Sequence, residues 1–175
     1  HLLSMSATPI PRSLALTLYG DLEVSTLKNC PKGRKEIDTL WCRKDQDKNE
    51  AYLKIYNEIK SGRQAFIVCP LIHKSEKIDS ISVEEKIIDL KNSILKEVKI
   101  EVLHGEMNME EKSEIMNRFK NNEFSLLVAT PVIEVGVDVP NATCVIIESA
   151  DRFGLAQLHQ IRGRVGRGTE KSYCY

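Results

Sequence analysis

The chain of 175 residues carries 25 Lys and Arg against 25 Asp and Glu, and 42% of it is hydrophobic. That length and apolar content suit one compact domain with its own core. A formal net charge of zero excludes a partner chosen by overall charge, so any electrostatic function must come from local clusters.

In chain order, residues 8–40 hold Pro9, Pro11 and Pro31 and read as a connector with one helix, feeding a first strand near Ile37 to Cys42. The opening "HLLSMSATPIPR" begins abruptly without a starting methionine, which reads as a piece cut from a longer protein. From residue 47 onward helical and strand-like periods alternate. Tyr52, Ile55, Tyr56 and Ile59 recur at helical spacing and the pattern stops at Gly62, a C-terminal cap. "QAFIVCPLI" follows, a short apolar run of the kind buried on both faces of a parallel sheet. Next come a helix over "VEEKIIDLKNSILKEV", a strand "KIEVLH", a helix opened by Asn108 with Glu111 as a capping box, and a strand "SLLVAT". A Gly/Pro/Asp-rich loop leads to a strand "TCVIIES", a helix "GLAQLHQI" and a final strand-like "KSYCY". Such alternation predicts a doubly wound α/β domain. Ligands of these sheets gather outside the carboxyl ends of the strands, which selects the loops after Cys69, His104, Thr130 and Glu148.

Five cysteines, Cys30, Cys42, Cys69, Cys144 and Cys174, form no CxxC pair, and several sit in apolar runs. Buried, reduced thiols in a cytoplasmic protein are expected, with no disulfide framework and no metal site. His73 and His159 are read as structural. No apolar run approaches the roughly 20 residues that span a bilayer, so no membrane association is expected.

The stretch "HQIRGRVGRG" at 159–168 crowds Arg162, Arg164 and Arg167 among Gly163, Gly166 and Gly168. Taken singly, an Arg beside a Gly is a solvated helix end. Three glycines, each costing about 1 kcal/mol against Ala inside a helix, imply close backbone approach, and guanidinium forks suit phosphoryl oxygens. The sequence contains no GxxxxGK[ST] and no GxGxxG. Arginines serving nucleotide hydrolysis would therefore reach a nucleotide held elsewhere. In "ATPVIEVGVDVPNA", Thr130 can cap a short helix with Pro131 at its first position and Gly136 at its end, leaving an anion-binding amino terminus. Alone, that stretch reads equally as an ordinary βα turn, Asp138 as a turn former and His104 as a packed or capping residue.

"SATPIPR" at 6–12, "LHGEM" at 103–107, "LLVATPVIEVGVDVPNA" at 126–142 and "GLAQLHQIRGRVGRG" at 154–168 stand in the order of superfamily 2 helicase motifs. Together with "PKGRKEIDT" and "QAFIVCPLI", they make the chain resemble the RecG family of bacterial branched-DNA motors over nearly its whole length. The resemblance implies an α/β, RecA-like, doubly wound and mostly parallel sheet with helices on both faces. Residues 1–22 would be the end of a first motor lobe and the connector, and 23–175 a second RecA-like lobe. It also implies an ATP-dependent DNA helicase active in DNA repair and recombination, with this piece inactive alone. Partners would be branched or duplex DNA, a first RecA-like lobe and an N-terminal wedge domain. ATP and Mg2+ would be required, the metal's ligands lying on the first lobe.

By the same resemblance, Arg167 is the arginine finger, Arg164 its companion and Gln160 a further polar position of the motif. Gly136, Asp138 and Gly163 attend the nucleotide, with Asp138 approaching the ribose or the arginines. Thr130, His104 and Gly105 grip DNA phosphates, and Ser6, Thr8 and Arg12 couple the lobes. Pro131 stands where this family usually has threonine, which removes a hydroxyl and an N–H. Two other readings fit the motifs: the motor lobe of a transcription-repair coupling factor, and a nucleic-acid-binding adaptor without ATPase.

Overall fold

The computed structural model describes Ser25 and residues 35–70, 83–131 and 138–175. Their elements are, in order, β1 (Ile37–Thr39), α1 (Asp45–Lys60), β2 (Gln64–Val68), α2 (Val83–Lys91), β3 (Ile100–Leu103), α3 (Met109–Lys120), β4 (Leu126–Ala129), β5 (Ala142–Ile147), a 3-10 turn (Ala150–Arg152), α4 (Leu155–Arg162) and β6 (Ser172–Cys174). The six strands form one sheet in the order β1-β6-β5-β2-β4-β3. Every pairing is parallel, so the mostly parallel sheet expected is wholly parallel among the described residues.

Period-two alternation sends successive side chains to opposite faces. Phe66 and Val68 of β2 join Leu127, Val145, Phe119 and Ile161 in a core under α3 and α4. Ala65 and Ile67 join Leu126, Val128, Cys144, Ile55 and Leu90 in a second core under α1 and α2. Helices thus cover both faces, as a doubly wound domain requires. Phe119 packs on Phe66 and Phe124 at centroid separations of 5.1 and 5.0 Å.

The ends of the helices follow local chemistry. At the start of α1 the Asp47 carboxylate accepts the backbone N–H groups of Arg43 and Lys44 at 2.8 and 3.0 Å. Gly62, at φ +80°, takes the left-handed position just past that helix. Asn108 and Glu111 form the expected reciprocal box at α3, at 2.8 and 3.0 Å. Three boundaries fall short of expectation, the first being β1, which ends at Thr39 and not near Cys42. The periodicity of 83–98 predicts a longer helix, but α2 ends at Lys91. There the Ser93 hydroxyl donates to the Leu90 carbonyl at 2.7 Å and accepts from Leu95 N–H at 3.1 Å, turning the chain out of the helix. β2 ends at Val68, two residues before Pro70, which has no N–H to offer a neighbour.

Of the thiols, Cys69, Cys144 and Cys174 are buried and Cys42 is partly so, all unbridged. Burial pushes Cys69 up to about 12 and Cys174 up to about 11. Cys30, His73, Gly136, the proposed division at residue 22, and Ser6, Thr8 and Arg12 lie outside the described residues. No described helix is long and apolar enough to cross a membrane.

Candidate functional site

Because the strands are parallel, all their carboxyl ends lie on one rim. Glu148 N–H donates to Val68 O at 2.9 Å, Cys69 N–H to Ala129 O at 2.8 Å and Thr130 N–H to Leu103 O at 3.0 Å. These bonds set Glu148, Cys69, Thr130 and His104 in a row across neighbouring strands. Thr130 is buried and its hydroxyl makes no hydrogen bond, which corrects its reading as a helix cap. His104 is partly buried; the exposed Gly105 offers its carbonyl to Lys112 Nζ at 2.8 Å.

The arginine stretch is elsewhere, and this corrects the expectation that the carboxyl rim gathers the motif residues. α4 leaves β5 at the carboxyl rim and runs back, so Gly163 to Gly168 reach the amino-terminal edge of the sheet. A Cβ on Gly168 would lie 2.6 Å from the Pro140 carbonyl oxygen, two residues before β5, and one on Gly166 would lie 2.8 Å from Cγ1 of Ile37, the first residue of β1. Six residues of β5 at about 3.3 Å each put roughly 20 Å between the rim and this edge.

The same contacts explain two of the three glycines differently from the sequence expectation. Gly166, at φ +73°, and Gly168 are required by packing inside the chain. Gly163 ends α4 in ordinary right-handed backbone, where an added Cβ meets the carbonyls of Gln160 and His159 at 3.4 Å, a normal contact.

On this edge Arg167 Nε donates to the Gly163 carbonyl at 3.1 Å and Nη1 to Asp138 Oδ1 at 3.4 Å. The pair is exposed, with 30% of the Arg167 side chain and 61% of the Asp138 side chain open to solvent. Two residues that motif order alone had associated are therefore in contact across 29 positions of sequence. Arg164 and Gln160 are partly buried nearby in sequence, Gln160 on α4 and Arg164 just beyond it. Arg162 Nη2 lies 3.1 Å from His159 Nδ1. Among the described residues no three His, Cys, Asp or Glu side chains converge.

Two polar clusters were missed by the sequence reading. At the amino edge, the buried Glu58 of α1 takes Lys54 Nζ at 2.9 Å, Arg63 Nη1 at 3.0 Å and the Thr143 hydroxyl at 2.7 Å. Burial alone would raise its pKa; the hydrogen bonds from Lys54, Thr143 and Arg63 outweigh that and hold the carboxyl below its ordinary range. Arg63 Nη2 also reaches Glu170 at 2.9 Å, tying the segment after Gly168 to α1. Asn141 adds bonds to Gly62 O at 3.1 Å and Gln64 Oε1 at 3.2 Å. At the carboxyl rim, Glu148 accepts the Tyr52 hydroxyl and pairs with Lys86 Nζ at 2.6 Å, both of these charged side chains being nearly buried. Burial and the Glu148 charge keep the Tyr52 phenol protonated by raising its pKa. The signal available was a glutamate at 58, three residues after Ile55 on the apolar stripe.

Comparison with known proteins identifies the family. The helicase conserved C-terminal domain family matches residues 47–169. The ATP-dependent DNA helicase RecG of Staphylococcus epidermidis is 45% identical over 99% of this chain and 25% of its own length. That of Staphylococcus aureus is 44% identical, also over 99% of the chain and 25% of its own length. A structure of RecG bound to a three-way DNA junction superposes with a TM-score of 0.79 at 46% identity, covering 97% of this chain and 22% of that one. The chain thus spans about a quarter of the length of the curated relatives it matches.

Proposed function

The chain belongs to the helicase conserved C-terminal domain family, and from that premise we propose that it is the second RecA-like motor lobe of an ATP-dependent helicase acting on branched DNA. The observation that carries this reading is the exposed Arg167–Asp138 pair at the amino edge of the sheet. In a sequence with no phosphate-binding loop of its own, a guanidinium held by one carbonyl and one long carboxylate contact retains donors for a phosphoryl group presented from outside. ATP, bound with Mg2+ on a first lobe, supplies the phosphoryl group to be transferred. The residues here fit that group: Arg167 faces solvent as the finger, Arg164 accompanies it, and Asp138 orients Arg167 and is free to meet a ribose hydroxyl. Gly163 lends its carbonyl to Arg167, and Gln160 supports the approach from α4. Gly136, in the same loop as Asp138, belongs to the nucleotide side.

The opposite rim serves DNA in this reading. Thr130, His104 and Gly105 sit side by side at the ends of β3 and β4, and the Thr130 hydroxyl, buried without a hydrogen bond, would meet a backbone phosphate once uncovered. Nucleotide and DNA would therefore act on opposite edges of one sheet, with Ser6, Thr8 and Arg12 coupling to the first lobe and a wedge domain splitting the branch. The similarity to RecG over 99% of the chain favours this over a transcription-repair coupling factor or an adaptor without ATPase.

The test is steady-state ATP hydrolysis by the full-length helicase on forked DNA. Arg167→Ala should lower kcat at least about a hundredfold, with a smaller change in KM. The 175-residue chain alone should hydrolyse no ATP. Near-normal turnover of the variant would remove the finger assignment.

A further inference from the structure

The carboxyl rim carries a second feature, at the far end from His104. Trp41, the chain's one tryptophan, is 75% exposed, and Leu40 beside it is 53% exposed. Burying such a ring is favourable and leaving it in water is not. The loop that presents it is fixed at both ends: Leu40 N–H donates to Cys174 O at 2.9 Å, extending the pairing of β1 with β6, and Asp47 gathers the N–H groups of Arg43 and Lys44. Over the indole stands the Arg43 guanidinium, 4.0 Å from the ring centroid. A ring this exposed is not covered on both faces, so the guanidinium leaves one face for another flat group.

Local charge indicates which group. Asp47 is engaged by backbone N–H groups, Asp45 pairs with Lys48 at 3.8 Å and Asp38 with Lys171 at 2.6 Å. Among the described residues, the exposed Arg43 and Lys44 enter no ion pair. An aromatic plate with a guanidinium over it and a second exposed cation next in the chain matches a nucleotide, with a base on the ring and phosphate beside it. In the sheet order β1 lies four strand spacings from β4, about 19 Å at roughly 4.8 Å each. That places the plate on the same rim as Thr130, within reach of one strand of nucleic acid.

We propose that Trp41, backed by Arg43, is a stacking platform for an unpaired DNA base at the carboxyl rim of the sheet. The proposal rests on the reading of that rim as the DNA side. It adds to phosphate gripping a preference for single-stranded over fully paired DNA.

With a single tryptophan, the 175-residue chain reports on the site directly. An oligothymidylate should quench Trp41 fluorescence, and a blunt duplex of equal length should leave it unchanged. By anisotropy of the labelled oligonucleotide, Trp41→Ala should weaken binding about tenfold, the size of one base stack, and Trp41→Phe should recover most of it. Oligonucleotide binding with unchanged emission, or with full affinity in Trp41→Ala, overturns the platform and leaves the DNA rim standing. Equal quenching by the duplex overturns the preference for an unpaired base. Failure to bind any DNA at low salt removes the platform and the DNA reading of the rim together.

Discussion

Gly168 and Gly163 lie five positions apart in one stretch, yet the backbone asks different things of them. An alanine at 168 would drive its Cβ to 2.6 Å from a backbone oxygen of Pro140, which has no flexible end to yield. Gly168→Ala should therefore destabilise the domain by about 1–3 kcal/mol. Gly163→Ala meets only ordinary contacts in helical backbone, and its stability should stay within about 1 kcal/mol of the parent, on either side. Urea unfolding of the two variants checks the contrast, and equal losses would refute it. If Gly163 approaches the nucleotide, its alanine variant should nonetheless lose ATPase in the full-length protein while keeping its unfolding midpoint. That this stretch is more than a solvated helix end was legible in the sequence, because arginine and glycine have few cheap uses together. Why each glycine is there was not, because Ile37 and Pro140 approach it from distant positions in the chain.

At the level of elements, α1 is more than a cover for the sheet. Its apolar stripe was readable from Tyr52, Ile55, Tyr56 and Ile59, but Glu58 lies on the same side and is 6% exposed. Three donors, one from α1 itself, one from the loop after it and one from β5, make that burial tolerable. Because the folded carboxyl is held below its ordinary value of 4.5, its contribution is present above that pH and disappears as pH falls through the lowered value. Glu58→Gln should cost on the order of 2 kcal/mol at neutral pH, and the difference from the parent should vanish in acid. Thermal melts of both proteins across the acid range measure this, and a gap that persists unchanged would contradict it. The existence and kind of the elements followed from periodicity. The early end of α2 did not, since Ser93 acts through two local hydrogen bonds that an apolar count cannot register.

For the whole molecule, alternation of helix and strand was enough to announce a doubly wound sheet, because only that arrangement buries so many short apolar runs on both faces. The strand order β1-β6-β5-β2-β4-β3 was not available from pattern alone. Without it, the rule that ligands favour carboxyl ends placed the arginines on the wrong edge. The true placement separates two charge environments, and DNA contact on the carboxyl rim should be mostly to phosphates. Log affinity of the 175-residue chain for DNA should accordingly fall linearly with log salt, by roughly one unit of slope per phosphate engaged. Affinity indifferent to salt would count against that rim.

One helix runs most of the way between those two edges. α4 has eight residues, about 12 Å of rod at 1.5 Å per residue. It carries the 86% exposed Leu155 at one end and the arginine stretch at the other, with Ile161 anchored in the core. Ile161 is the seventh of those eight residues, so the rod is anchored next to the arginine stretch and its Leu155 end is the long, solvent-facing arm. A contact made at the Leu155 tip would therefore be borne by a clamped lever, with the arginine stretch sitting at its fixed end.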